Sequence, residues 1–138
     1  MRARIDGAKL TEEIMAISDE IDALETDFNR EKKSCLEEVF VEFNLKDTNH
    51  EDDNRKQKII EKVQQNIENN MNHLIQKQII LNQIYMAKSK ARLSELNHVI
   101  TMQEEAKEHL IDLREAIESE LDKIRVSKKQ LQQIDLSK

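Results

Sequence analysis

Asp47, Asn49 and Glu51 stand at the spacing of the first three ligands of a helix–loop–helix calcium site, where oxygen donors surround a hard cation. The pattern then fails. Its sixth position is Asp52 where the loop needs glycine, and its twelfth is Lys58 where a bidentate glutamate is needed. Glu95 and His98 form a Glu-x-x-His pair, which on a helix puts carboxylate and imidazole on one face. Di-metal helical bundles need two such pairs and two further glutamates on facing helices. Here Ala106 precedes His109 at that spacing and Asn70 precedes His73, so no second pair exists. His98, Glu105 and His109 share a helical face and read as exposed polar positions. Cys35 is the sole cysteine and has no histidine near it in sequence to lower its pKa, so it reads as a small core residue. A single glycine rules out a Gly-rich phosphate loop, and neither a nucleophile elbow nor a cysteine pair for zinc occurs. The expectation is a protein that is not an enzyme, with no catalytic, cofactor-binding or metal-binding residues and no small-molecule substrate.

Whatever elements hold these residues must be helices. Turn-rich globular domains use glycine and proline and lean on aromatics, whereas this chain has one Gly, no Pro, no Trp, one Tyr and three Phe in 138 residues. Disorder is the other way to reach 36% charged residues, but the aliphatic residues recur at helical spacing, which disordered tracts lack. A net charge of −6 argues against the basic footprint that nucleic acid requires. Acidic side chains crowd residues 11–31 and 104–122, while Lys88, Lys90 and Arg92, and then Lys123, Arg125, Lys128, Lys129 and Lys138, form basic clusters. These read as solvated faces whose opposite signs set register and partner choice. Contact with nucleic acid, a microtubule or lipid through the basic clusters is the weaker alternative.

Residues 1–7 form a short basic lead-in, and a first amphipathic helix is expected over 8–43. Leu10, Ile14, Ile17, Ile21, Leu24 and Phe28 alternate steps of four and three, the seam of a coiled coil. Beyond Phe28 the apolar set moves to Leu36, Val39, Phe40 and Phe43, the shift that a four-residue stutter produces. A polar loop is expected at 44–55, because its Asn and Asp residues favour turns and caps, with Thr48, Asp53 or Asn54 as the candidate cap. A long second helix then spans 56–136, divided into a bundle part at 56–86 and a coiled-coil tail at 93–136, with the most suitable place for a bend at 87–92. In the bundle part Leu74, Ile75, Ile79, Ile80, Leu81, Ile84, Tyr85 and Met86 cover more than half of the helix circumference, which demands burial by at least two neighbours. In the tail Leu110, Ile117, Ile124 and Leu131 recur every seven residues, which draws one continuous stripe suited to a partner helix. The fold class is therefore all-α: an elongated coiled coil of two long helices in a partial antiparallel hairpin, with a C-terminal coiled-coil tail.

In composition and layout the chain resembles the small coiled-coil subunits of kinetochore, spindle-associated and vesicle- or lysosome-positioning complexes. The resemblance implies a structural or adaptor subunit that co-assembles with helical protein partners, as a hetero-oligomer first and a homodimer second. A self-contained homo-oligomeric adaptor that captures a helix or motif is the alternative. The expected partner-binding residues are Ile14, Ile17, Ile21, Leu24, Phe28, Phe40 and Phe43 on the first helix, with Leu74, Ile75, Ile79, Ile80, Leu81 and Ile84 and the Leu110, Ile117, Ile124, Leu131 stripe on the second. No stretch is apolar enough to span a bilayer. With a lone cysteine and no Asn-x-Ser/Thr acceptor, the expected setting is reduced and intracellular, cytoplasmic or nuclear.

Overall fold

A computed structural model describes residues 7–35 and 50–136. Among them the fold is all-helical: α1 (Gly7–Lys33), α2 (His50–Lys90), a single 3₁₀ turn (Leu93–Glu95) and α3 (Leu96–Leu136), packed against one another. Ser34 and Cys35 continue α1 as a π-helical turn, a register-shifting device at the place where the sequence seam changes. Phe40 and Phe43, with the rest of the expected stutter, lie outside the described residues. The second helix starts at His50 rather than 56, so Asp53 and Asn54 sit inside it rather than at its cap.

The expected continuous helix over 56–136 is two helices. Ala91 and Arg92 leave the helical ladder, and Arg92 takes extended backbone at φ −86° and ψ 163°. The Glu95 carboxylate then accepts the Arg92 N–H at 3.2 Å, and Arg92 O accepts the Glu95 N–H at 2.8 Å, which together start the next helix. This is the carboxylate half of a capping box. On the other side of the break the Ser89 hydroxyl donates back to Tyr85 O, a bond that competes with helix continuation. Local signals this weak do not by themselves reverse a chain. Burial does: α2 and α3 each carry a long apolar stripe, and folding back covers both stripes without a second chain.

α2 and α3 are close antiparallel neighbours, as the grooves between them show. His73 and Ile80 share one groove with His109 and Ala116, and Lys62 and Asn66 share another with Ser119 and Ser127. The closest antiparallel pair is thus the second and third helices, and the first two, for which a hairpin was expected, are antiparallel but less closely packed. α1 runs parallel to α3, in a register marked by charge pairs with a sequence offset of 94: Glu13 with Lys107 and Glu20 with Arg114. Glu31 meets Arg125 at the same offset, and Lys128 as well. α1 and α2 approach less closely, and two lysines of α2 cross the space between them. Lys88 donates to the Thr11 hydroxyl, and Lys77 donates to the Ser18 carbonyl and the Asp22 carboxylate. α3 is therefore the helix on which both others rest.

The core runs the length of α3. At one end Ile14, Ile17 and Ile21 meet Leu74, Ile80, Leu81 and Ile84 around Leu110, Leu113 and Ile117. At the other, Phe28 and Cys35 meet Ile59 and Val63 around Leu121, Ile124, Leu131 and Ile134. Polar residues punctuate this core. Gln103, 2% exposed, donates to Thr11, and that bond pins the N-terminal part of α1 to α3. The fold has a consequence for size. A helix of 41 residues is about 60 Å long at ~1.5 Å per residue, so small-angle scattering should give a maximum dimension well short of the about 120 Å that an unbroken rod over 56–136 would reach. A dimension near the rod length would overturn the reversal at Arg92.

Candidate partner-binding surface

Of the large apolar residues that stay outside the core, α2 carries the largest group, whereas Met15 is a single one on α1. Met71, Ile75, Ile79 and Met86 point away from both neighbouring helices and are 57%, 55%, 48% and 52% exposed. On the same helix Leu74, Ile80, Leu81 and Ile84 turn inward onto α1 and α3. The broad apolar circumference of 74–86 is thereby resolved into two faces. One is satisfied within the chain and the other is open.

The open face is unusual for this protein in its lack of charge. Between Glu68 and Lys88 the only Lys, Arg, Asp or Glu is Lys77, and Lys77 is buried against α1. Asn, Gln and Tyr85 take the remaining outward positions. Gln78 donates to the Asn82 side-chain oxygen and Gln65 to that of Asn69, each at 3.1 Å and one helical turn apart. These bonds run along the helix, so the amides are tied down without screening the aliphatic groups. Further exposed apolar groups, Tyr85, Leu93 and Leu96, cluster around the α2–α3 turn. Val126, also exposed, lies beside an open groove of about 480 Å³ between α2 and α3 that Lys62, Gln65, Asn66, Ser119 and Ser127 line.

Most of the residues expected to bind a partner are covered by this chain itself. Ile21, Leu110, Ile117, Ile124 and Leu131 have no exposure at all, and Ile14, Ile17, Phe28 and Ile84 are buried with them. Leu24, Leu74, Ile80 and Leu81 pack on the edge of the same core. Among the described residues of the expected set, only Ile75 and Ile79 remain open. Met71 and Met86 belong with them, and the signal that finds them is their place on the same helical face as Ile75 and Ile79. The heptad stripe of α3 has the right period for a partner helix, but α1 and α2 are the helices that fill it.

The candidate chemical groups are placed as follows. Glu95 caps the turn at Arg92 and His98 is exposed, so the Glu-x-x-His pair is divided between a structural bond and solvent. His73 and His109 line one groove with Asp112, yet among the described residues no three His, Cys, Asp or Glu side chains are grouped as metal ligands. Asp47 and Asn49 lie outside the described residues, and Glu51 is already in the backbone of α2. Glu120 and Asn70 are buried acceptors missed by sequence reasoning. One carboxylate oxygen of Glu120 and the side-chain oxygen of Asn70 have no hydrogen-bond partner, which is a desolvation cost to the fold. The Glu13 carboxyl is held below its ordinary range by the Lys107 ammonium that donates to it.

Cys35 is wholly buried in the second core cluster. Burial pushes its thiol up to about 11, with Glu31 adding to the rise and Lys128 opposing it. The thiolate is the reactive form, so iodoacetamide at pH 8 should leave Cys35 unmodified in the folded chain and alkylate it fully in urea. Rapid native alkylation, read by mass spectrometry, would contradict this burial. Among the described residues no helix is long and apolar enough to cross a membrane. No family model, no curated protein and no solved structure matches this chain.

Proposed function

We propose that the protein is a non-catalytic structural or adaptor subunit: a small helical bundle that docks a helix of another chain along the outer face of α2. The observation that carries this reading is the exposed, uncharged stripe Met71, Ile75, Ile79 and Met86 on a chain in which more than a third of residues are charged. Contiguous apolar surface on a helix face marks an interaction site, and apolar anchors at one-turn spacing are what a helix presents to another helix. The flanking amides suit a partner that is itself helical and weakly charged on its contact face.

Contact with a polyanion has less support. Lys123 is paired with Glu120, and Arg125 and Lys128 with Glu31, while Lys88 donates to Thr11, so part of each basic cluster is already engaged by the chain itself. The test is to isolate complexes of the full chain and of a variant carrying Ile75→Lys and Ile79→Lys together. The variant should keep its helicity and melting temperature and lose its bound proteins. Complexes that survive intact would refute docking through α2.

A further inference from the structure

Glu68, Met71, Ile75, Ile79, Asn82, Met86 and Lys90 are all exposed on α2 and fall on one outward stripe of it. Their steps are 3, 4, 4, 3, 4 and 4, an eleven-residue repeat whose stripe drifts by only about 20° per repeat and favours a slight right-handed winding of two helices. Ile79 is its midpoint. Reversing the order exchanges Glu68 with Lys90, Met71 with Met86 and Ile75 with Asn82. Both ends of the stripe are exposed, and the charges they carry have opposite sign. We infer that the occupant of this face is a second copy of the same chain, packed antiparallel about a two-fold axis near Ile79.

This inference rests on the helix-docking reading above and names its partner. A two-fold contact places the same patch on both copies, so the patch must complement itself. An uncharged centre meets its own image without electrostatic cost. At the ends, antiparallel packing sets Glu68 of each copy against Lys90 of the other, whereas parallel packing sets Glu68 on Glu68 and Lys90 on Lys90. Like charges directly opposed disfavour a pairing, and opposite charges select it. Asn82 does not demand a second asparagine opposite it, because its side-chain oxygen already accepts from Gln78. The open stripe holds four large apolar side chains per copy, so a reversible dimer in the micromolar range, on the order of 1–100 µM, is the expected strength.

Sedimentation velocity of the full chain alone, across roughly 1–500 µM so as to bracket that range, should show a monomer–dimer equilibrium. Ile79→Lys, which puts two like charges at the axis, should leave a folded monomer with unchanged helicity at every concentration. Glu68→Lys alone should weaken the dimer about tenfold, the effect of ~1.4 kcal/mol, and adding Lys90→Glu should restore it. For orientation, Met71→Cys mixed with Met86→Cys should form the crossed disulfide under mild oxidation, and neither variant should cross-link with itself. A wild-type chain monomeric throughout, a dimer that survives Ile79→Lys, indifference to Glu68→Lys, or cross-linking of Met71→Cys with itself would each overturn the second copy. A monomeric wild type would still leave the docking of a different helix on this face to the co-isolation test above, so the two readings fail separately.

Discussion

A chain that ends at Lys90 is expected to lose its cooperative fold. α1 and α2 would remain covalently intact, but the helix that both rest on would be gone. Leu110, Leu113, Ile117, Leu121, Ile124, Leu131 and Ile134 together form the α3 side of both core clusters. Each buried aliphatic contributes about 1.5–3 kcal/mol, and the total stability of a domain is only about 5–15 kcal/mol. Among the described residues α1 and α2 approach each other far less closely than either approaches α3, and they meet at the margins of the two clusters and through Lys77 and Lys88. Removal of α3 also leaves Glu13, Glu20 and Glu31 without their basic partners. Far-ultraviolet circular dichroism should show low helicity or aggregation and no sigmoidal melt. A truncated chain that melts cooperatively would mean that residues 8–86 form a self-sufficient head with α3 as an appendage, and the arrangement described above would be wrong.

Ile117→Ala should destabilise the full chain by about 2–5 kcal/mol, a drop of very roughly 5–15 °C in melting temperature for a chain of this size. Ile117 has no exposed surface and sits in a cluster to which all three helices contribute. Truncation removes its transfer free energy and leaves a cavity that three helices cannot collapse to fill. Ile79→Ala is the internal control. Ile79 is an isoleucine in a comparable helix but 48% exposed, so its truncation should change stability by less than about 0.5 kcal/mol in the monomer. Chemical denaturation of the two variants at low protein concentration, where association is negligible, separates them directly. Equal losses would mean that the outer face of α2 is buried in the folded chain.

That pair of isoleucines also shows how much of this protein is legible without coordinates. Both lie in apolar stripes and both were expected to bind a partner, because periodicity reports that a face is buried and is silent on what buries it. The helical state itself is strongly written. With no proline and one glycine, nothing in 50–136 opposes helix, and the seven-residue stripe of α3 is buried along its whole length. The break at Ala91 and Arg92 is a different matter. Arginine is a poor N-cap and Ala91 a strong helix former, so only Glu95, which bonds back to Arg92, hints at a new start. The buried Lys77 was equally hard to foresee, since lysine on an apolar helix ordinarily reaches solvent, and its burial depends on Asp22 and the Ser18 carbonyl arriving from another helix.

Composition and period by themselves determined that the chain is helical and which faces of its helices are apolar. Only the tertiary structure decided that the stripes satisfy one another within a single chain, and which stripe is left over. The physical reason lies in the range of the forces. Helix propensity and amphipathic spacing act within a turn or two of the backbone, so they can be read residue by residue. The choice between an extended rod that waits for partners and a chain that folds back depends on contacts between residues far apart in sequence, Glu31 and Lys128 among them at ninety-seven positions. Covering the α2 and α3 stripes with each other needs no second molecule, and that gain outweighs the few helical bonds lost at Arg92. What the reversal leaves uncovered is the stripe from Met71 to Met86.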